Sequence, residues 1–334
     1  MFGGQLIGVD VGGTKVAVAT LEDARLSDSL VRPTDVSSSE GLVDEIVGAV
    51  EALRGARTAA VGVGVPSVVE FATGRIRSSA NLPLADLDLR TVLAERLGLP
   101  VFVDNDATVA ALAEAFDDAG QPIVQNLVMF TVGTGIGGGL VLGGRVYRGT
   151  TGAAGELGHT LIGVAAAEGV PRAGDFPQPG SLESLAAGRV LDRLAAQIAD
   201  RSPSSALGKL AAEGRVVDGG DAVEAAQAGD LEAIEALRTL GERLGIGIAN
   251  ALNTFDPDVV VVGGGVSVAG ELLLGPATEV ARRFALPGIG ELTEIRLARH
   301  GREAGVRGAA LLAGLELADE AEALAPSPRE AGRA

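Results

Sequence analysis

The chain has 334 residues, of which 47% are hydrophobic, enough for more than one cored domain. Its 44 acidic residues outweigh 27 basic ones, and the net charge of −17 gives a surface that repels a phosphate backbone, which argues against nucleic-acid binding. There is no cysteine, so disulfides and thiolate metal sites are both excluded.

The amino terminus lacks the basic-then-apolar pattern of a secretory leader, and a cytoplasmic protein is expected. Residues 5–20 read as an apolar strand, a tight turn at Gly12-Gly13-Thr14, and a second apolar strand. Glycines there would turn with positive φ and offer bare N–H groups to an anionic phosphate, and Asp10 at the strand end is placed to hold a metal-bound water. Ser37-Ser38-Ser39-Glu40 resembles a capping box, with Leu42, Val43, Ile46, Val50 and Leu53 at helical spacing behind it. A strand over Ala59–Val65, a short hairpin around Glu70–Arg75, and a turn at Asn81-Leu82-Pro83 follow.

Val101-Phe102-Val103 reads as a buried strand that runs through Asp104-Asn105-Asp106 into an Ala-rich helix. The junction of a strand end with a helix start is where α/β proteins bind ligands. Asp106 suits either a helix cap or a catalytic carboxylate, and the local pattern leaves both open. A polar break at Asp117–Pro122 marks a domain boundary. The uncharged run 119–144 carries glycines at 133, 135, 137, 138 and 139, which suits two strands and a turn and not a membrane helix. Gly133–Gly138 satisfies G-x-G-x-x-G, yet the chain continues as strand and not as helix, so the dinucleotide reading is rejected; no Walker sequence occurs.

Gly155-Glu156-Leu157-Gly158-His159 is the most specific stretch, and Ser181-Leu182-Glu183 opens a helical region. Helices are read over 182–200 and 231–252, with a variable-looking patch at 202–220 between them. The second helix stops before Pro257, Val259–Val262 is a buried strand, and Gly263-Gly264-Gly265 follows. A small-residue helix starts near Ala304, and the acidic, Pro-containing end from Asp319 reads as frayed.

In this order, Gly8–Lys15, Asn81-Leu82, Asp104-Asn105-Asp106, Ala154–His159, and Asp256-Pro257 with Gly263–Gly265 resemble the motifs of the ROK family (repressors, open reading frames and kinases) over residues 5–315. The resemblance implies an α/β, two-domain actin-like ATPase (ribonuclease H-like) fold with a duplicated βββαβα core and an interdomain cleft. The domains would be 1–118, joined by the last helix at about 304–318, and 119–303, with 319–334 a disordered tail.

The activity implied is ATP-dependent phosphorylation of a hexose, D-glucose to glucose 6-phosphate, with Asp106 as general base and a cleft that closes on sugar. Asn81, Asn105, Asp106, Glu156, His159 and Glu183 would bind the sugar. Asp10, Gly12, Gly13, Thr14, Lys15, Thr134, Gly135, Gly263, Gly264 and Gly265 would bind the nucleotide, with Asp10 near the Mg²⁺ of MgATP. No nucleic acid or membrane partner is expected, and a homodimer or homotetramer is.

Two departures stand out. Ser67 replaces a glycine expected after Gly64-Val65-Pro66. The zinc-binding cysteines that follow the His in the family are missing, so no structural zinc is expected. The loop from Gly163 to Gly180 would then be held by Phe176 and the prolines. Kinases of fructose, N-acetylmannosamine or N-acetylglucosamine share these motifs, and polyphosphate is an alternative donor. A non-catalytic sugar-binding relative would be expected to lose the base, which is present. A repressor would need a helix-turn-helix segment ahead of the first motif, for which the strand at Gln5 leaves no room.

Overall fold

The structure is a computed structural model and describes residues 4–79, 81–165, 169 and 172–324. The chain divides into two compact units, one drawn from residues 1–123, 148–154 and 302–334 and the other from 124–147 and 155–301.

In the first unit, β1 (Gln5–Val11) and β2 (Lys15–Glu22) form an antiparallel hairpin in which Val11 faces Val16 across the turn. β3 (Arg25–Leu26) and β4 (Leu30–Pro33) both pair with β2. Helix α1 (Ser39–Leu53) is capped by Ser38, whose Oγ accepts the Gly41 N–H at 3.0 Å. β5 (Thr58–Val65) joins β1 in parallel; β6 (Ser67–Glu70) and β7 (Arg75–Ser79) make a separate two-stranded sheet. After α2 (Leu89–Leu97), β8 (Val101–Asn105) pairs in parallel with β5 and leads directly into α3 (Asp106–Ala115). The main sheet has the order β3-β2-β1-β5-β8.

The second unit repeats this plan. β9 (Leu127–Val132), β10 (Ile136–Leu142) and β11 (Arg145–Val146) form the antiparallel part; β12 (Val259–Gly263) and β13 (Glu294–Leu297) add in parallel, giving the order β11-β10-β9-β12-β13. All five residues of β12 are buried, as a parallel strand between two neighbours requires. The helices are α4 (Leu182–Ala186), α5 (Gly188–Arg201), α6 (Ala206–Ala212), α7 (Gly219–Gln227), α8 (Leu231–Phe255) and α9 (Glu271–Phe284). Leu182, Leu237, Leu240, Leu244 and Leu273 from three of them pack on Phe130 and Val260 in one core.

The last helix, α10 (Ala304–Leu324), returns to the first unit and lies on its sheet. Gly62 makes this possible, since a Cβ there would stand 1.8 Å from the Ala309 carbonyl oxygen. α10 runs six residues past the boundary expected at 318; residues 325–334 lie outside the described residues. Residues 119–123 and 148–154, expected in the second domain, pack with the first unit. Among the described residues no helix is long and apolar enough to cross a membrane.

Candidate active site

At the junction of β8 and α3 each residue of Asp104-Asn105-Asp106 has a different task. Asn105 is the helix cap: its Oδ1 accepts the N–H groups of Ala107 at 2.9 Å and Thr108 at 3.2 Å, and its Nδ2 donates to the Ser67 carbonyl at 3.3 Å. Asp106 is the first helical residue, half-buried, with Oδ1 accepting the Ala107 N–H at 2.8 Å. A carboxylate in the first turn is stabilised by the aligned peptide dipoles of α3.

Asp104 points the other way, into the interior, and is 1% exposed. Arg148 donates through Nε to its Oδ2 at 2.7 Å and through Nη2 to Glu316 Oε1 at 2.9 Å, with the guanidinium 3.5 Å from the centre of the Phe71 ring. Burial pushes the Asp104 carboxyl above its ordinary range, and Arg148 opposes that rise.

Asp10, at the end of β1, is pushed up to about 6 by burial first and by the charge of Asp106 second, while Lys15 draws it down. The β1–β2 turn is closed by the Gly12 N–H donating to the Lys15 carbonyl at 2.8 Å, and the Thr34 hydroxyl donates to the Gly12 carbonyl at 2.7 Å. Neither Gly12 nor Gly13 has a positive φ, contrary to expectation. The value of glycine here is bare, accessible backbone: no atom lies within 4 Å of where a Cβ of Gly13 would stand. Thr14 and Lys15 are exposed beside it, and Asn81 is exposed in the turn after β7, next to buried Leu82. The first unit thus gathers Asp10, the Gly12–Lys15 turn, Asn105 and Asp106 around its sheet.

In the second unit the equivalent turn, Gly133-Thr134-Gly135, is braced from below. Glu183 accepts the Ile136 N–H through Oε2 at 2.7 Å and pairs through Oε1 with Arg189 Nη2 at 3.0 Å. Arg189 Nε in turn donates to the Thr134 carbonyl at 3.0 Å, and the Gly188 N–H to the Gly133 carbonyl at 2.7 Å. Gly135 leaves room for this carboxylate: a Cβ there would come within 2.4 Å of Glu183 Oε2 and displace it from the Ile136 N–H.

Beside the turn opens a pocket of about 220 Å³, floored by Gly133 and Thr134 and walled by Gly188, Asp192, Gly219-Gly220 and Gly265. Gly264 has a φ of 87° and its hydrogen lies against Val132, whose carbonyl oxygen a Cβ would approach to 2.4 Å; Gly263 is buried against Met129. Elsewhere in the unit, His159 Nε2 lies 3.7 Å from Glu156 Oε2 on a short 3₁₀ turn that packs on β10.

A family model described as the ROK family matches residues 6–315. The chain belongs to the ROK family. A glucokinase of Halalkalibacterium halodurans is 35% identical to it over 313 residues, 90% of this chain and 92% of the relative. Among solved structures, a ROK family glucokinase from Streptomyces griseus in complex with glucose and AMPPNP is 35% identical, with a TM-score of 0.78 over 93% of this chain and 99% of that one. A ROK hexokinase from Thermus thermophilus is 38% identical, with a TM-score of 0.74 over 94% and 99%. The two matching sheets are the duplicated core of the actin-like ATPase fold of this family.

Two residues that the resemblance implied for the sugar also carry structural hydrogen bonds in this ROK chain. Glu183, expected on the sugar, has both carboxylate oxygens engaged in bracing the Gly133–Gly135 turn. Asn105, expected to hold sugar hydroxyls, spends its side-chain oxygen on the α3 N–H groups. The sequence reading missed Arg148, Arg189, Asp192 and Gly219-Gly220. Only the last carried a local signal, Asp218 and Asp221 at capping-box spacing, which do form that box around the start of α7.

A structural zinc does not fit the residues present. The chain has no thiolate, and among the described residues no three His, Cys, Asp or Glu side chains are grouped as a metal ion needs.

Proposed function

We propose that the protein is a cytoplasmic glucokinase that transfers the γ-phosphoryl group of MgATP to the 6-hydroxyl of D-glucose, with Asp106 as general base. The coarser class, a hexokinase-type phosphotransferase, follows from ROK membership together with glucokinases that match nine-tenths of both chains. The observation that carries the finer reading is the division of labour at the β8–α3 junction. Asn105 supplies the cap and Asp104 pairs with Arg148 in the interior, while Asp106 sets a half-buried carboxylate in the first turn of α3 beside Asp10.

Phosphoryl transfer depends on positioning and on charge stabilisation, with a carboxylate to receive the hydroxyl proton. In the proposed step the sugar hydroxyl gives its proton to Asp106 as its oxygen bonds to the γ-phosphorus. The bond from that phosphorus to the bridging oxygen breaks, and ADP leaves. The N–H groups of the Gly12–Lys15 and Gly133–Gly135 turns bind phosphate oxygens, with the Lys15 ammonium available to the transferred group.

Asp10 suits the water shell of the Mg²⁺ that accompanies ATP: it faces a second carboxylate, and a cation relieves that repulsion. The pocket beside Thr134, with glycines on several walls, suits the flat face of a nucleobase and its ribose. Glu156 and His159, 3.7 Å apart, suit neighbouring sugar hydroxyls, as does the exposed amide of Asn81.

The test is release of ADP from MgATP with a panel of hexoses (glucose, fructose, N-acetylmannosamine and N-acetylglucosamine), run beside Asp106→Asn. Turnover with glucose that the substitution abolishes while sugar still binds supports the reading. Faster turnover with another hexose overturns the substrate, and unchanged turnover in the variant overturns the base.

A further inference from the structure

We propose that Phe176 positions the imidazole of His159 by a ring-edge contact, so that this chain orients its sugar-facing histidine with an aromatic side chain in place of a metal. The proposal rests on the reading that His159 meets the sugar.

Three observations converge on this pair. First, the two ring centroids are 5.3 Å apart with the planes at 88°, an edge-to-face geometry that aromatic rings favour. Second, Phe176 is 73% exposed. A phenyl ring left that far in water contributes little to any core, so its contact with His159 is the interaction that gives the ring a task. Third, His159 Nδ1 is buried with no hydrogen-bond partner among the described residues. An imidazole is ordinarily oriented through the nitrogen that faces away from its substrate, by a carboxylate, a carbonyl or a metal. Here that nitrogen has no such partner, and no thiolate exists in the chain to bring a zinc to it. The ring is oriented through its carbon framework instead.

The strap that carries Phe176 is built to hold it still. The Gly174 N–H donates to Gln178 Oε1 at 2.7 Å, and Gln178 Nε2 returns a bond to the Gly174 carbonyl, which closes a tight loop with Phe176 at its centre. The Gln178 carbonyl accepts the Ser181 N–H at 3.0 Å, and Ser181 Oγ caps α4 by accepting the Ser184 N–H at 3.2 Å. The anchorage of Phe176 therefore runs through hydrogen bonds into the helix that also carries Glu183.

The experiment is NMR of the histidine rings in the full chain, paired with sugar kinetics for Phe176→Ala and Phe176→Tyr. The chain has two histidines, His159 and His300, so a single His300→Gln variant assigns both rings. The expected result has four parts. Wild-type His159 ring protons are displaced by the ring current of Phe176, and Phe176→Ala removes that displacement without moving His300. Phe176→Ala raises the KM for sugar roughly three- to tenfold, the size of one aromatic contact, with kcat changed less than about twofold. Phe176→Tyr keeps both the shift and the KM. Elemental analysis of the purified protein finds zinc well below one per chain.

Zinc at one per chain, with a chelator moving the His159 resonances, overturns the proposal. So does a Phe176→Ala variant that leaves the His159 resonances and the KM where they were while His159→Ala raises the KM. If His159→Ala itself leaves the KM unchanged, the sugar-facing reading fails and takes the proposal with it.

Discussion

Replacing Asp10 with Asn is predicted to make the protein more stable and nearly inactive. Asp10 is held against its own charge: burial and the neighbouring Asp106 carboxylate raise its pKa from 3.8 to about 6. At 1.36 kcal/mol per unit, that rise from 3.8 to about 6 corresponds to about 3 kcal/mol of folding stability lost when Asp10 ionises. The sign follows from proton counting. Between these two values the folded chain binds more protons at this site than the unfolded chain, so stability falls as pH rises through the window and stays low above it.

Asp10→Asn removes this loss, and the variant is expected to exceed wild type by about 1 to 3 kcal/mol at pH 7.5, with the advantage vanishing near pH 4. Urea unfolding of both proteins at pH 4, 5, 6 and 7.5 measures it. On the proposed role of Asp10 toward the cation of MgATP, the same variant should lose about a hundredfold or more in kcat/KM for MgATP in the ADP-release assay, because a preorganised charge would be gone. A variant less stable than wild type at pH 7.5, or a stability difference that does not change with pH, would refute the reasoning.

Further predictions address the remaining parts of the site. Asp106→Asn should lower kcat by roughly 10² to 10⁴ with a small change in sugar affinity, measured by turnover and by glucose titration of intrinsic stability. Glu183→Gln keeps an acceptor for the Ile136 N–H and loses the Arg189 pair, so KM for ATP should rise several-fold while KM for sugar holds; the reverse pattern would return Glu183 to the sugar. Arg148→Met leaves Asp104 buried and uncompensated and should cost about 3–5 kcal/mol in urea unfolding, less at acid pH where Asp104 protonates. Adding Asp104→Asn to that variant should recover most of the loss.

Much of this architecture was legible because its signals are local. The two strand-turn-strand hairpins are apolar runs broken by glycines, and β12 is four valines behind a helix-stopping Pro257; neither needs a distant partner to be read. The helix cap was harder. Asn105 and Asp106 are both good caps, and the choice was made by β8, whose ladder with β5 extends to the Val65–Asn105 pair and so holds Asn105 in extended backbone. Arg148 could not be read as the partner of Asp104, since the two lie 44 positions apart and the guanidinium reaches the strand only when residues 148–154 fold onto the first unit. The walls of the pocket come from four separated stretches, and Gly219-Gly220, inside a variable-looking patch, acquire meaning only when α7 begins beside the Gly133–Gly135 turn.

The duplication also sets side by side two glycine turns that are not equivalent. Both sheets run antiparallel, antiparallel, parallel, parallel, and each turn joins their first two long strands. The first turn is left open, with nothing within 4 Å of a Cβ at Gly13, and the unit that carries it also holds Asp10 and Asp106. The second is fixed through Glu183, Arg189 and Gly188, and borders the pocket. A group that must attend a moving phosphoryl gains from accessible backbone, whereas a group that holds the remainder of a nucleotide gains from rigidity. One strand-turn-strand plan therefore gives an open turn in the first unit and a braced one in the second.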